Sequence, residues 1–569
     1  MKKPSEAQKR IAEHLRALYG ESRLDELMPR VQRLVDSHVS AAGPALPLQP
    51  LTERDAILIA YGDQVRVEGE HPLASLNKLL SERLTGLISG IHLLPFFPYS
   101  SDDGFSVIDY RQVDPALGTW AEVRNIASDS RLMVDAVINH VSAKSEWVEA
   151  FRRGEPEHRE TFIVVDPNAD LSDVVRPRDL PLLTPIETVH GLRHVWTTFS
   201  SDQLDLNFDN PEVMLEILDL LLFYVRNGAQ IIRLDAIAYL WKQIGTPSIH
   251  LPQTHHVVRL MRAVLDAATP GTLLITETNV PHEENLSYFG DKGDEADLVY
   301  QFALPPLILH TLISGDASSL TEWALDLDAP FENVTFFNFL ASHDGIGLRP
   351  VAEILTAEEL GELVTLPARS GGDVSYRALP DGGRSPYELN VTYLDALTDP
   401  QEPLSLAVDR FLSAHAMMLA LPGLPGIYFH SLFGSRNDLD GVQRTGIARS
   451  INRQKLELSS LLAELDDDKS DRRRIFDGIS NLLRARASNE AFNPWQSCKP
   501  IEVGEKVFAL IRGDISGRRV VCLHEVAGDG ADVRGSTGSG LATDLLTGET
   551  IDASVVRLAP YQSRWITVS

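Results

Sequence analysis

Two cysteines, Cys498 and Cys522, are the only thiols in 569 residues. No disulfide framework can brace a chain of this size on that supply, and a reducing compartment is the simpler setting. Positive charge is also scarce: 52 Lys and Arg face 80 Asp and Glu, a net charge of −28. That balance argues against a surface for nucleic acid or anionic membrane, while leaving room for a local basic pocket. No unbroken apolar run is long enough to span a bilayer. The longest uncharged stretch, from Phe411 to Ser435, is interrupted by Pro422, Gly423, Pro425 and Gly426, which suits a buried helix leading into a strand. The opening MKKPSEAQKRIAEHLRALYGE lacks the apolar core of a secretory signal, so a cytoplasmic protein is expected.

What the chain does have is helical periodicity broken by short apolar runs. Residues 6 to about 38 place Ile11, Leu15, Leu18, Leu24, Leu27, Val31, Leu34 and Val35 at helical spacing. A Pro-rich linker from Gly43 to Pro50 follows. Eight strand-like runs come next, most with helical patterns between them: Ile57–Tyr61, Gly90–Leu94, Leu132–Val137, Ile231–Leu234, Leu273–Thr276, Leu298–Phe302, Val334–Leu340 and Gly426–Phe429. This alternation predicts an α/β fold, a closed (β/α)8 TIM barrel. Two connections are far longer than a barrel needs, about 141–205 after the third strand and about 345–394 after the seventh. They read as inserted subdomains or lids, the second containing RSGGDVSYRALPDGGRSPYE. Near the C-terminus, VFALIR, RVVCLHEV and RWITVS predict an antiparallel β domain. The expected units are an N-terminal helical extension with its linker (1–53), a catalytic barrel (54–492) and a C-terminal β domain (493–569). The N-terminal helices are expected to pack either on the barrel or on a second copy in a homodimer.

Polar residues at the carboxyl ends of barrel strands converge on one mouth, where barrel active sites lie. The third run ends in DAVINH, with Asp135, Asn139 and His140, and the fourth in IIRLDAIAY, with Arg233, Asp235 and Tyr239. The fifth ends in LLITETN, with Glu277 and Asn279, and the seventh in FLASHDGIG, with His343 and Asp344. One acid closing a strand is most often a helix cap. Acids closing strands four, five and seven together mean either a metal site or acid–base work on a glycosidic bond. The close His/carboxylate pairing of a transition-metal site is missing. The glycosidic reading needs an ionised nucleophile beside a protonated acid, about 5–5.5 Å apart for retention. Arg233 stands two residues before Asp235 on the same strand face and would keep it ionised. Glu277 has no such neighbour and is the better candidate for a raised pKa.

These strand ends resemble the signature regions of the α-amylase superfamily, glycoside hydrolase family 13. The segments LPFFPYSSDDGFSVIDYRQVDPALGTWAEV, MVDAVINHVS, YQFALPPLILHTL, SHDGIG and RSINR are similar to those of its sucrose phosphorylase subgroup, over roughly residues 54–490. The resemblance implies Asp235 as nucleophile, Glu277 as general acid/base and Asp344 as transition-state stabiliser. It implies Asp102, His140, Arg233, His343 and Arg453 as holders of the glucosyl hydroxyls, with Phe199 packed against that sugar. For phosphate it implies Tyr239 and Arg178, the latter in VVRPRDLP, with Tyr387 from the second long insert. No metal or cofactor is expected, since acids and arginines supply the charge. The implied partners are small molecules: an α-glucoside, inorganic phosphate and an acceptor.

The chain departs from the sucrose-cleaving members on the acceptor side. Asn279 stands where they carry histidine, and the lid segment GGRSPYELN brings Arg384 ahead of Tyr387. Arg384 is either a solvated loop residue or, turned inward, a charge suited to an anionic acceptor rather than neutral fructose. The N-terminal helices, the total length and HSLFGSRNDLDGVQRTGIARSINR resemble most the members acting on glucosylglycerate. The expected activity is therefore retaining, reversible phosphorolysis of 2-O-α-D-glucosylglycerate to α-D-glucose 1-phosphate and D-glycerate, with Arg384 reading the carboxylate. The alternatives are a phosphorylase for sucrose 6'-phosphate, sucrose or glucosylglycerol, and a retaining α-glucosidase or transglucosidase. A silent scaffold protein is a further reading, against which the three acids speak.

Overall fold

The computed structural model describes residues 5–42, 49–178, 180–327, 329–378, 383–513 and 519–568. The expected linker falls, but for its last two residues, outside them.

Eight parallel strands close on themselves: β1 (Ile57–Ala60), β2 (Gly90–Leu93), β3 (Arg131–Ala136), β4 (Ala229–Leu234), β5 (Leu273–Thr276), β6 (Leu298–Tyr300), β7 (Thr335–Asn338) and β8 (Leu424–Tyr428). Each pairs with its neighbours in sequence and β8 returns to β1, so the sheet has no edge. All eight coincide with the apolar runs, because a strand covered on both faces is apolar throughout rather than alternating. The stretch from Phe411 to Ser435 holds the end of helix Leu404–Ala420 and then β8. Among the described residues no helix is long and apolar enough to cross a membrane.

Helices α1 (Glu6–Tyr19) and α2 (Glu21–Ala42) form the N-terminal extension. A capping box between Ser5 and Gln8 starts α1, and Gly20, with φ of 79°, ends it. Both lie on outer helices of their own barrel, α3 (Pro211–Arg226) and α4 (Pro252–Ala268). Ile11, Leu15, Leu27, Val31 and Val35 are buried there. Arg10 reaches Asp266 at 2.8 Å, Arg30 grips Glu212 through two bonds of 2.6 Å, and Tyr19 Oη donates to the Phe208 carbonyl at 2.9 Å. Of the two placements left open for these helices, they take the flank of their own barrel.

In the first long insert, His140–Ser142 pairs with Gln203–Asp205, and Leu183–Thr188 forms a hairpin with Gly191–Trp196. A buried ammonium fastens this insert to the barrel. Lys242 Nζ lies 2.7 Å from the Asp205 carboxylate and 2.7 Å from Asn139 Oδ1, just past β3. The second insert carries the turn Arg349–Val351, helix Ala357–Thr365 and a hairpin of Asp373–Ala378 with Arg384–Asn390. That hairpin pairs back onto Ile346–Gly347. Its register shifts: Ser375 faces Glu388 but Tyr376 faces Pro386, which leaves Tyr387 as the extra residue of a β-bulge.

The C-terminal part is a four-stranded antiparallel sheet of Cys498–Pro500, Val507–Arg512, Arg519–Glu525 and Ser563–Val568, with two smaller strand pairs. A buried arginine ties it to the barrel end opposite the mouth: Arg512 donates to the Ala420 and Asn493 carbonyls. At the same end Arg486, on helix Asp471–Ala487, donates to the carbonyls of Asp55 and Gly423, just ahead of β1 and β8.

Lys242→Met is expected to strand the Asp205 carboxylate in the interior and to lower stability by about 3–5 kcal/mol, read as a fall in thermal midpoint. An unchanged midpoint would show that the ammonium does not fasten the insert.

Candidate active site

The barrel mouth opens into a cavity among the strand ends. Its walls bring together Asp235, Glu277 and Asp344 with Asp102, His140, Phe199, Arg233 and His343. Arg178, Asn279 and Tyr387 complete the set of expected residues lining it. Strand ends account for most of this convergence: Arg233 is the penultimate residue of β4, Asp235 follows that strand and Glu277 follows β5. Ala236 adopts a left-handed backbone (φ 48°) and turns its N–H onto Glu277 Oε2 at 3.0 Å. Such a conformation is strained for alanine, and it brings the two acid-bearing turns together.

Arg233 orders the acids. It is 2% exposed, and its Nη1 hydrogen-bonds Asp135 on β3 and Asp235, the latter at 2.9 Å. Its Nη2 stops 3.8 Å short of Glu277. Burial drives the Asp235 carboxyl well above the usual carboxylate range, with Arg233 opposing the rise and Glu277, Asp135 and Asp344 adding to it. Burial also raises Glu277, again against Arg233. Two buried acids that both rise titrate as a coupled pair. Arg233 hydrogen-bonds Asp235 and stands 3.8 Å from Glu277, which favours the ionised form at Asp235 over Glu277. Asp135, although buried, is held down to about 2 by Arg233 and His92.

Asp344 keeps other company. Burial favours its neutral form, but Arg449, with Nη1 2.6 Å from Oδ1, backed by Arg453 and Arg233, holds it far below the usual range. Arg449 also makes two bonds, 2.9 and 2.6 Å, to Glu388 of the lid hairpin. His343 stacks on Phe105 at 4.7 Å, and burial takes it down to about 3, so it is neutral. His140 Nε2 donates to the Phe105 carbonyl at 2.8 Å, with the Phe199 ring 5.3 Å away. Arg178 is engaged by Asp102 at 3.0 Å.

Two expectations require correction. Arg453 stands behind the cavity wall: it pairs with Asp103, donates to the His343 carbonyl at 2.8 Å and lies 3.9 Å from Asp344. The first arginine of RSINR, Arg449, lines the cavity instead, 2.6 Å from the same Asp344 oxygen that Arg453 approaches at 3.9 Å. Arg384 is exposed and lies over the Tyr376 ring at 5.2 Å. It pairs with Ala378, and strand alternation turns it to the opposite face from Arg377. Further along Arg384's own strand the bulge breaks this alternation, letting consecutive residues Tyr387 and Glu388 both face the cavity.

A second, smaller chamber shares Pro177, Phe199, Ala236, Glu277, Asn279 and Tyr387 with the first. Beyond this wall it is lined by Tyr239 and by Arg176, Arg349 and Arg377. The sequence reading marks none of these arginines, although Arg176 sits in VVRPRDLP, Arg349 just past SHDGIG and Arg377 in the lid segment.

A closed parallel barrel with this acid set is an α-amylase-type catalytic domain, and residues 84–345 match the family described as Alpha amylase, catalytic domain. The chain is 49% identical to glucosylglycerate phosphorylase of Spirochaeta thermophila over 91% of this chain and 90% of that one. It is 48% identical to glucosylglycerate phosphorylase of Allomeiothermus silvanus over 99% of both. Its fold matches the crystal structure of sucrose 6F-phosphate phosphorylase from Thermoanaerobacter thermosaccharolyticum with a TM-score of 0.73 at 24% identity, covering 91% of this chain and 99% of that one. The chain belongs to the glucosylglycerate phosphorylase family of the α-amylase superfamily.

Arg449→Met removes the cation that Asp344 and Glu388 share. It is expected to cost about 3–5 kcal/mol of stability near neutral pH and to speed hydrogen exchange at residues 387–390. Since Arg449 is the main charge holding Asp344 ionised, the loss should shrink as pH falls and Asp344 protonates. A loss of the same size in acid would assign Arg449 a packing role instead.

Proposed function

We propose that the protein is a retaining phosphorylase that reversibly converts 2-O-α-D-glucosylglycerate and phosphate into α-D-glucose 1-phosphate and D-glycerate. One observation carries this reading: an acid-lined chamber opens into a guanidinium-lined one, with Glu277 in the wall they share. A neutral hexose is held by partners that accept and donate, which Asp102, His140, His343 and Asp344 supply, with Phe199 offering a ring face. The group that protonates a departing oxygen must reach both chambers, as Glu277 does.

In the first displacement an Asp235 oxygen attacks C1 while Glu277 gives its proton to the glycosidic oxygen. Glycerate leaves, and a β-glucosyl ester remains on Asp235. In the second, Glu277, now a carboxylate, takes the proton of a phosphate hydroxyl as that oxygen attacks C1. Two inversions give retention. Asp344, held ionised, stabilises the oxocarbenium character of both transition states. Water at tens of molar competes with phosphate at roughly millimolar, so fixed cations beside the ester are needed to favour the anion. The same cations suit glycerate better than neutral fructose or glycerol, and the relatives named glucosylglycerate phosphorylase support that acceptor.

Purified protein with glucose 1-phosphate is expected to release phosphate on addition of D-glycerate, but not of fructose or glycerol. Release with fructose 6-phosphate alone would move the acceptor, and release without any acceptor would make the protein a hydrolase. Glu277 acts protonated in phosphorolysis, so that rate should fall as pH rises through its elevated pKa. Glu277→Gln is expected to slow glucosylglycerate cleavage about 10²–10⁴-fold while sparing α-glucosyl fluoride, whose leaving group needs no proton. Equal losses with both donors would remove Glu277 from the acid role.

A further inference from the structure

Resting on that reading, we propose that Arg349, Arg377 and Arg176 form one anion seat, which receives the glycerate carboxylate in one half-reaction and phosphate in the other.

The arginines of the two chambers differ in what they face. In and behind the sugar chamber each is matched by acid: Arg233 by Asp135 and Asp235, Arg449 by Asp344 and Glu388, Arg178 by Asp102, Arg453 by Asp103. In the side chamber Arg349 has only Glu284, at 3.7 Å. Among the described residues, Arg176 and Arg377 have no carboxylate within ion-pair distance. Arg176 is exposed at the rim, but Arg349 and Arg377 are half-buried; in a chain with 80 acidic residues to 52 basic ones, a half-buried Arg377 without a carboxylate beside an Arg349 that has one only at 3.7 Å marks a place kept for an anion that comes and goes. Burial and the nearby Arg349 both weaken the hold of Arg377 on its proton, as expected of like charges lacking a counter-ion.

Three separate segments supply the seat: the first insert gives Arg176, the turn after β7 gives Arg349 and the lid hairpin gives Arg377. Asn279 Oδ1, in the shared wall, is buried without a donor from the protein. It is an open acceptor for a hydroxyl, which glycerate and hydrogen phosphate both carry.

The chemistry asks for one seat rather than two. In the transfer to phosphate, a bond forms between C1 and a phosphate oxygen, the ester bond from C1 to Asp235 breaks and the P–OH proton passes to Glu277. With glycerate its 2-hydroxyl takes the place of the P–OH and gives its proton to the same carboxylate. Both oxygens reach C1 from the side of Glu277. In glycerate the attacking oxygen is on the carbon next to the carboxylate, and in phosphate on phosphorus itself, so the charged oxygens fall in the same region.

The test is the Michaelis constant for each anion in Arg377→Gln and Arg349→Gln, measured in synthesis for D-glycerate and in phosphorolysis for phosphate. Hydrolysis of α-glucosyl fluoride reports separately on the sugar site. Each variant is expected to raise both constants together, by roughly tenfold to a hundredfold. Arg377→Lys, which keeps the charge but loses the fork, should give a smaller rise in both. Arg384→Ala, on the outer face of the same hairpin, should move neither. A rise confined to one anion would overturn the shared seat. Should Arg377→Gln not fold, Arg349→Gln carries the same readout from a different element. If wild-type protein uses another acceptor, the reading of glycerate fails first. The seat then stands only if the constants for phosphate and for that acceptor still rise together.

Discussion

Arg233 cannot shed its proton, and at the end of β4 it has almost no water around it. A cation in that position has to be met by carboxylates, and the barrel meets it twice, from Asp135 on the neighbouring strand and from Asp235 on its own. The double provision matters once chemistry begins. In the proposed double displacement Asp235 loses its negative charge as an ester while Glu277, 3.8 Å from the same guanidinium, gains one. Asp135 never changes. The charge facing Arg233 is therefore conserved through the cycle while its location moves, and the interior never has to hold an unmatched cation.

The net charge of −28 makes the whole molecule a poor attractor of anions at a distance. Beyond about 8 Å that repulsion is screened at physiological salt, and what an anion meets at the mouth is local. The three side-chamber arginines act over that short range. In the proposed reaction Glu277, which lines both chambers, serves the sugar side and the anion side alike.

The fold could be read from the chain almost strand by strand, because eight doubly covered strands leave eight unbroken apolar runs. The acids could be read for a related reason: a barrel sends every strand end to one mouth, so Asp235, Glu277 and Asp344 needed no knowledge of side-chain packing to be grouped. Selection among arginines was harder. Arg384 and Arg377 lie on the two strands of one hairpin, and only the register, with its bulge, says which of them turns inward. Arg453 and Arg449 are four residues apart in a short turn, and composition does not tell the cavity side from the far side. The N-terminal helices showed their apolar stripe but not its partner, since the groove between α3 and α4 is assembled from parts of the chain two hundred residues away.

The bulge at Tyr387 gives the lid an unusual kind of adjustability. A regular hairpin would present alternate residues to the site, and exchanging a side chain would be the only way to alter what it offers. Here one surplus residue sets whether Tyr387 and Glu388 stand side by side over the cavity. Deleting it would leave the strands paired and the barrel untouched while withdrawing one of them. Changes in segment length, rather than in residue type, are therefore an economical route by which members of such a family can diverge in the molecules they accept.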